Sequence, residues 1–310
     1  MTDARDIEIS RLAANQYGAF HRRQAFELGF TRRMIQRRLE SGAWHTLHPA
    51  VYALTGTTAD WLRAQMAACL WSHGLAAGKA AGRLFELPGC ENAEVEVLTT
   101  SRSLVPHSGV IVDQTKRLPD EQIRTVRAIP TTSVERTLMM LCVRMRPSEC
   151  RIAVDNALFR GLTTVAALDY CLFRTCRQGR GGSTLLREIV RERASIDGVP
   201  NSPLETLVLQ ALLDAELPVP KLQHEIRDDH GNFVARPDFV YPGQKVVIEA
   251  HSKLWHGGVS SHLRDAQRHR SMESLGFEIV YATFSDATRY RRQFGALVED
   301  LLVSRGWTRP

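Results

Sequence analysis

The chain has 310 residues, more than one ordinary core needs at about 100–200 residues per domain, so two or three domains are expected. Its 44% hydrophobic and 24% charged residues are typical of a soluble globular protein, and a net charge of +6 permits a polyanionic partner without requiring one. The N-terminus shows no signal-peptide pattern, and no stretch approaches the roughly 18 apolar residues of a membrane span. These features exclude a membrane protein and predict a cytoplasmic one.

The cysteine pattern contains no C-x-x-C pair, and no cysteine occurs in the last 130 residues. Several of the cysteines have apolar or helical neighbours, which favours buried reduced thiols over disulfides. The six are Cys69, Cys90, Cys142, Cys150, Cys171 and Cys176.

The first predicted domain, residues 1–57, has three short helical segments followed by a change to strand spacing. Thr31 is a suitable N-cap for a helix over 32–41, and Gly42 is a suitable C-terminal stop. Strand spacing then begins at Trp44 and continues on both sides of a turn at Pro49. This order predicts a winged helix-turn-helix.

Arginines are concentrated in that domain: between Phe20 and Trp44 there are six, with two acidic residues and no lysine. The second helix of a helix-turn-helix enters the major groove, and arginine can contact both phosphate and guanine. We therefore predict double-stranded DNA as a partner, although a basic helix of a protein-interaction module would look similar. The predicted contacts are Arg22 and Arg23 as phosphate clamps, with Thr31, Arg32, Arg33, Gln36 and Arg37 on the third helix.

The middle region, residues 58–195, has mixed α/β patterning to which we assign no chemistry. Its predicted helices and strands cover 61–72, 93–99, 109–113, 133–143 and 184–193. A linker over 195–201, with Gly198 and Pro200, leads to the third predicted domain, residues 197–310. That domain has the order helix, three strands, helix, strand, helix, with elements predicted at 202–216, 222–227, 233–241, 246–248, 260–275, 277–283 and 287–304. The whole is a multidomain protein of the α+β or α/β class.

The most specific motif is RPDFVYPGQKVVIEAHSKLWH, residues 236–256. Asp238 is predicted near the end of one strand, with Glu249 and His251 on one face of the next. A turn at Pro242-Gly243 would fold the two strands into a hairpin. Two carboxylates so placed can bind Mg²⁺ or another divalent metal, and an imidazole, from His251 or His256, can move a proton.

At these residues the chain resembles the PD-(D/E)XK nuclease superfamily, and within it the very-short-patch-repair-like endonucleases. The resemblance implies a restriction-endonuclease-like three-layer α/β/α domain, with Asp238 as the main metal-binding carboxylate and Glu249 beside it. It also implies catalytic roles for His251 and His256, and a supporting role for Glu205. It extends to Asp265 and Arg268 on the following helix. The superfamily's usual lysine is replaced by His251, and the repair enzymes' zinc-binding cysteines are absent.

The N-terminal segment resembles the winged-helix domain of AbiEi-type antitoxins. The resemblance rests mainly on Ser41-Gly42-Ala43-Trp44, followed by Pro49 and Val51-Tyr52. It implies DNA binding and transcriptional autoregulation, with a cognate toxin as a further candidate partner.

Alternatives remain for several of these residues. A capping box with Ser202 would explain Glu205, and His256 could be a packed loop residue. The two histidines could bind Zn²⁺, but no third ligand is evident; Asp265 and Arg268 suit a solvated helix face. The function predicted is a DNA-binding endonuclease of defence or repair. The alternative is an antitoxin-like autorepressor with a degenerate nuclease fold, and the oligomeric state stays open.

Overall fold

The computed structural model describes residues 4–101, 109–175, 182–251 and 259–309, with the backbone alone at 175 and 259–266. The chain divides into two compact units of mixed α/β structure. The first comprises Met1–Met145 and Tyr170–Leu186, and the second comprises Arg146–Asp169 and Arg187–Pro310. Among the described residues, no helix is long and apolar enough to cross a membrane.

The first unit begins with three helices and a three-stranded antiparallel sheet of order β1-β3-β2. The three helices and the hairpin predicted from the sequence are present, whereas the three-residue strand β1 was not predicted because its residues are all buried and show no alternation. The elements are α1 (Ala4–Ala14), β1 (Ala19–His21), α2 (Arg22–Glu27), α3 (Arg32–Glu40), β2 (Trp44–His48) and β3 (Val51–Leu54).

Local sequence signals explain where α3 begins and ends. The Thr31 hydroxyl accepts a hydrogen bond from the amide of Met34 at 3.3 Å, which caps the helix as predicted. Gly42 follows the helix with φ +73°, a conformation that glycine adopts without a Cβ penalty. Ile35 faces the core, where the rings of Phe20 and Trp44 meet edge to face with centroids 4.7 Å apart.

The rest of the first unit contains a five-stranded mixed sheet of order β6-β5-β4-β8-β7. Ala19 and Val51 share a hydrophobic core with Met66, so the N-terminal strands pack directly on the helix that follows them. The helix predicted at 61–72 has those bounds. The elements are α4 (Trp61–Ser72), β4 (Leu75–Ala76), α5 (Gly78–Leu84), β5 (Val95–Thr99), β6 (Val110–Gln114), β7 (Ile123–Val126), β8 (Ile129–Thr132) and α6 (Val134–Arg144).

Three helices follow α6 along the chain: α7 (Pro147–Phe159), α8 (Val165–Thr175) and α9 (Ser183–Ala194). The prediction of buried reduced thiols is confirmed for Cys69, Cys90, Cys142, Cys150 and Cys171, which are buried and form no disulfide. Cys176 lies outside the described residues.

The second unit is built on a four-stranded sheet of order β14-β13-β12-β9, in which β13 and β14 are parallel and the other pairs antiparallel. Helices cover both faces: Val208 and Val298 pack on one side of the sheet, and Met272 packs on the other. The elements are α10 (Pro203–Asp214), β9 (Lys221–Leu222), β10 (Ile226–Arg227), β11 (Phe233–Ala235), β12 (Phe239–Tyr241), β13 (Val246–Ala250), α11 (Val259–Ser274), β14 (Glu278–Ala282), α12 (Phe284–Ala287) and α13 (Arg291–Ser304).

Two predicted strands are wrong in extent. Residues 222–227 and 233–241 each divide into two short strands, because β10 and β11 form a separate two-stranded sheet. Pro237 has no amide hydrogen to donate to a ladder, and the chain changes sheets there. Asp238 therefore lies immediately before β12 rather than at the end of a long strand. The last predicted helix, 287–304, begins later than predicted, as α13 at Arg291, and the short helix α12 ends where it was predicted to begin.

Candidate functional site

Asp238 and Glu249 are brought together by the β12–β13 hairpin. The register pairs Phe239 with Ile248, so the residues one step further along each strand, Asp238 and Glu249, are adjacent. The Asp238 carboxylate accepts a hydrogen bond from the amide of Ala250 at 2.9 Å, which fixes its orientation. The turn predicted at Pro242-Gly243 is present and produces this arrangement.

Glu249 is a buried acid with incomplete compensation. Burial, with a smaller contribution from the charge of Asp238, raises its pKa to about 7 against the opposing effect of Arg268. The Arg268 guanidinium lies 3.4 Å from Glu249 Oε1, and within the described part of the chain that oxygen is buried without a hydrogen bond. Arg268 thus faces the site, not solvent alone as the solvated-helix alternative had it.

Glu205 reaches the same cluster through an amide that the sequence did not single out. Gln223 Nε2 donates to Glu205 Oε2 at 3.2 Å and to Asp238 Oδ1 at 3.1 Å. Glu205 also accepts from the amide of Asn201 at 3.0 Å, and its own amide donates to the Ser202 hydroxyl at 3.2 Å. Ser202 therefore caps α10, whereas the Glu205 carboxylate is linked to Asp238 through Gln223, and burial raises the pKa of Glu205.

Gln223 carries no recognisable sequence signal. It follows the two-residue strand β9 and has φ +50°, a left-handed conformation that a run of side-chain types does not reveal. Its backbone amide donates to the Asp238 carbonyl at 3.0 Å, so backbone and side chain both bind the same residue.

Of the two histidines in the motif, His251 is within the described residues. His251 is exposed, directly after β13, and its ring meets that of Tyr281 with centroids 5.5 Å apart. The Tyr281 hydroxyl is in turn 2.8 Å from Nδ1 of His269 on α11, so a third imidazole that was not predicted adjoins the site. His256 lies outside the described residues, as does the side chain of Asp265.

No group of three or more His, Cys, Asp or Glu side chains is arranged to hold a metal ion within residues 4–101, 109–174, 182–251 and 267–309. The described donors at the cluster are the carboxylates of Asp238 and Glu249, with Glu205 behind Gln223. Mg²⁺ commonly takes only one or two carboxylates and fills its shell with water and substrate oxygens. A two-carboxylate site therefore fits that ion, whereas it does not suit a fully protein-bound Zn²⁺.

The predicted DNA contacts lie on α2 and α3, and they differ in how they are held. Arg22, Arg23, Arg32, Arg33 and Arg37 are exposed and make no ion pair in the part of the chain that the structure describes. The Thr31 hydroxyl caps α3, and Gln36 donates to Glu40 at 3.0 Å.

Arg38, in contrast, is a structural residue. Its Nε and Nη2 atoms each bind an Asp6 carboxylate oxygen at 2.8 Å, and its guanidinium lies 4.7 Å from the centre of the Phe30 ring. Arg32, Arg33 and Arg37 on the same helix make no such contact with any residue that the structure describes, and they are exposed.

No family model matches the chain. Two sequences from Mycobacterium tuberculosis are similar to it: uncharacterized protein MT2308 of strain CDC 1551 / Oshkosh and uncharacterized protein Rv2248 of strain ATCC 25618 / H37Rv. Each is 25% identical over 270 residues, covering 84% of this chain and 92% of the relative. The likeness extends over most of the chain and carries no activity with it.

Proposed function

We propose that the protein is a DNA-binding, Mg²⁺-dependent endonuclease. The observation that carries this proposal is the pair of adjacent carboxylates of Asp238 and Glu249, one of them buried with a raised pKa. Two like charges held together at the end of a strand pair destabilise the fold unless a cation or a proton joins them. The two adjacent carboxylates therefore lower the stability of the fold, and we infer that they are kept for function.

The architecture of the second unit supports the same proposal. A helix, a run of antiparallel strands, a helix and a parallel strand follow one another, and helices pack on both faces of the sheet. This is the order that a restriction-endonuclease-like domain has, with the acidic residues at one end of the central strands. The first unit, with three helices and the sheet β1-β3-β2, has the order of a winged helix-turn-helix.

In this proposal Asp238 and Glu249 would hold the divalent cation. When bound, it would polarise the scissile phosphate and lower the pKa of a bound water. Gln223 keeps the Asp238 carboxylate oriented, and Arg268, 3.4 Å from Glu249, is placed to bind a phosphate oxygen if the ion replaces it as partner of that carboxylate. His251, directly after β13, is the imidazole that we propose accepts or donates the proton, with His256 a further candidate.

The exposed arginines of α2 and α3 would deliver the duplex. Arg32, Arg33, Arg37 and Gln36 are proposed to face the major groove, with Thr31 at the start of that helix and Arg22 and Arg23 on phosphates. Their charges have no competing carboxylate in the described residues, so neutralisation of phosphate replaces no existing ion pair.

A plasmid-nicking assay with Mg²⁺ tests the enzyme proposal, comparing the wild type with Asp238→Asn. Loss of one metal-binding carboxylate removes several kcal/mol of charge stabilisation, so nicking should fall by about 100-fold or more. Asp229→Asn is the matched control, since Asp229 is an exposed acid in a turn of the same unit. Equal nicking by wild type and Asp238→Asn would contradict the proposal, and so would undiminished nicking in EDTA.

A second candidate function is an AbiEi-like autorepressor whose nuclease fold no longer cuts. The observation that favours it is Arg268, which pairs with Glu249 at the position where a cation would otherwise compensate that acid. It predicts specific binding to the protein's own promoter, weakened by Arg33→Ala and unchanged by Asp238→Asn, without cleavage. A cognate toxin would then be sought by co-purification with the full chain.

A further inference from the structure

The five-stranded sheet of the first unit, which the proposed nuclease chemistry does not use, borders a cavity of about 510 Å³ beside α6. Its volume is within the roughly 300–1,000 Å³ of small-molecule sites. The lining comes from the ends of β5 and β6, from the two residues after β6, and from one face of α6. A ligand there would contact only elements of this unit.

Among the charged residues of the lining, cationic side chains outnumber acidic ones. Arg136, Arg144 and Lys116 line the cavity, and Asp113 is the one carboxylate among the residues that do so. Arg136 is only 7% exposed although its side chain borders the cavity. Positive charge on a partly enclosed wall favours an anionic ligand.

Arg144 is already committed to the protein's own acids. Its Nη2 atom binds the two carboxylate oxygens of Asp113 at 2.8 and 2.9 Å, and its Nη1 atom pairs with the buried Glu96. Both nearby acids therefore have a partner in Arg144. Lys116 is exposed at the rim and makes no ion pair with the residues that the structure describes. The three cationic residues Arg136, Arg144 and Lys116 therefore exceed the two acids Asp113 and Glu96 by one positive charge.

Glu96, which pairs with Arg144, is itself fixed by hydrogen bonds to two other elements. Its Oε2 atom accepts from the amide of Lys79 at 3.1 Å and thereby caps α5, whose own N-cap residue, Ala77, has no side chain to do so. Gln65 binds the backbone amide and carbonyl of Glu96 at 3.2 and 3.0 Å. The network Gln65–Glu96–Arg144–Asp113 thus presents a fixed wall, and binding needs little reorganisation.

The remaining lining is suited to a flat apolar group. Met140 and Val143 supply an aliphatic and thioether surface next to the cationic residues, whereas Met139 and Leu98 are buried in the core and only border the cavity. Methionine side chains adapt to irregular ring-shaped ligands and make favourable sulfur–aromatic contacts. A bare inorganic anion would leave this surface unused.

We propose that this cavity binds a nucleoside phosphate, with the phosphates at Lys116 and Arg136 and the base against Met140 and Val143 of α6. The site is separate from the proposed nuclease function, since it uses no residue of the second unit. It gives the middle region a ligand-binding role.

Isothermal titration of the full-length protein tests this in EDTA, where Mg²⁺-dependent cleavage cannot contribute. The probes are ATP, GTP, adenosine and inorganic triphosphate. We expect ATP or GTP to bind at least tenfold more tightly than adenosine or triphosphate. Lys116→Ala should weaken nucleotide binding about five- to tenfold, and the matched control Arg117→Ala, one residue outside the lining, should not.

Every other outcome overturns the proposal. Triphosphate binding as tightly as ATP would mean a general polyanion surface, and adenosine binding as tightly would mean that the cationic residues are not used. Equal affinities for wild type and Lys116→Ala, or no binding by any probe, would also contradict it. Asp238→Asn should bind nucleotide like the wild type, so failure of the nuclease proposal remains a separate result.

Discussion

Two groups of charged side chains in the second unit differ in how their charges are balanced. Arg193 and Asp155, each 1% exposed, form a two-pronged ion pair with distances of 2.6 and 2.9 Å. Asp238 and Glu249 instead place two negative charges side by side, with one guanidinium 3.4 Å from the second acid. The first group is electrically balanced within the protein, and the second is not.

The difference separates a structural role from the functional role proposed for Asp238 and Glu249. A balanced buried pair offers nothing to a ligand, because every charge already has its partner at short range. An unbalanced pair holds a raised pKa and a capacity for a cation, which a fold would not keep for stability alone. The α7–α9 ion pair therefore supports the packing of those helices, and the hairpin carboxylates are where we propose the chemistry.

The largest expected effect comes from breaking the balanced pair. Asp155→Ala leaves the buried Arg193 guanidinium with only the longer contact to Glu192, at 3.6 Å, and should lower the free energy of unfolding by about 3 kcal/mol or more. Urea denaturation followed by circular dichroism measures this.

The double variant Asp155→Leu/Arg193→Met is the control, since it removes both charges and keeps apolar volume. Its loss of unfolding free energy should be much smaller than that of the single variant. Equal losses in the two variants would mean that volume, and not the unpaired charge, determines the effect.

These two groups also show what the sequence alone could predict. The Pro242-Gly243 turn and period-two alternation were enough to place Asp238 beside Glu249, since a hairpin register follows from its turn. The pairing of Arg193 with Asp155 was not foreseen, because it joins residues 38 apart on different helices. The same reason concealed Gln223, whose role depends on a left-handed backbone and on two acids distant in sequence.

The division of the long predicted strands has a local cause that could have been weighed. Pro237 interrupts the run 233–241, and proline is confined to strand edges and irregularities. In the structure Pro237 marks the point where the chain leaves one sheet for another.

The second prediction removes the imbalance. Glu249→Gln eliminates an acid whose pKa is raised from 4.5 to about 7 by burial. Below about pH 4.5 the acid is protonated in folded and unfolded chains alike, so the variant gains nothing. As the pH rises to about 7, only the unfolded chain releases the proton readily, and the wild type loses stability that the variant keeps.

Above pH 7 the variant should be more stable by about 2–3 kcal/mol, because each unit of the raised pKa corresponds to roughly 1.4 kcal/mol and the contact with Arg268 is already included in that pKa. Denaturation at pH 5 and pH 8 measures the difference. Millimolar Mg²⁺ should raise the melting temperature of the wild type and not that of Glu249→Gln. A gain that is equal at both pH values would contradict the assigned cause.

The smallest effects come from the same contrast on one helix, α3, between Arg38 and Arg33. Arg38→Ala breaks the two-pronged pair with Asp6 and the contact with Phe30, and should cost about 1 kcal/mol of stability. Arg33→Ala removes a side chain with no described partner and should change stability by less than about 0.5 kcal/mol.

For duplex DNA the order of the two variants should reverse. Arg33→Ala should weaken binding and lower the slope of log affinity against log salt by about 1, since one phosphate contact is lost. Arg38→Ala should leave that slope unchanged wherever the protein is folded, because its charge is already neutralised by Asp6. Fluorescence anisotropy over a salt series measures both slopes, and equal slopes for Arg33→Ala and wild type would remove α3 from the proposed DNA interface.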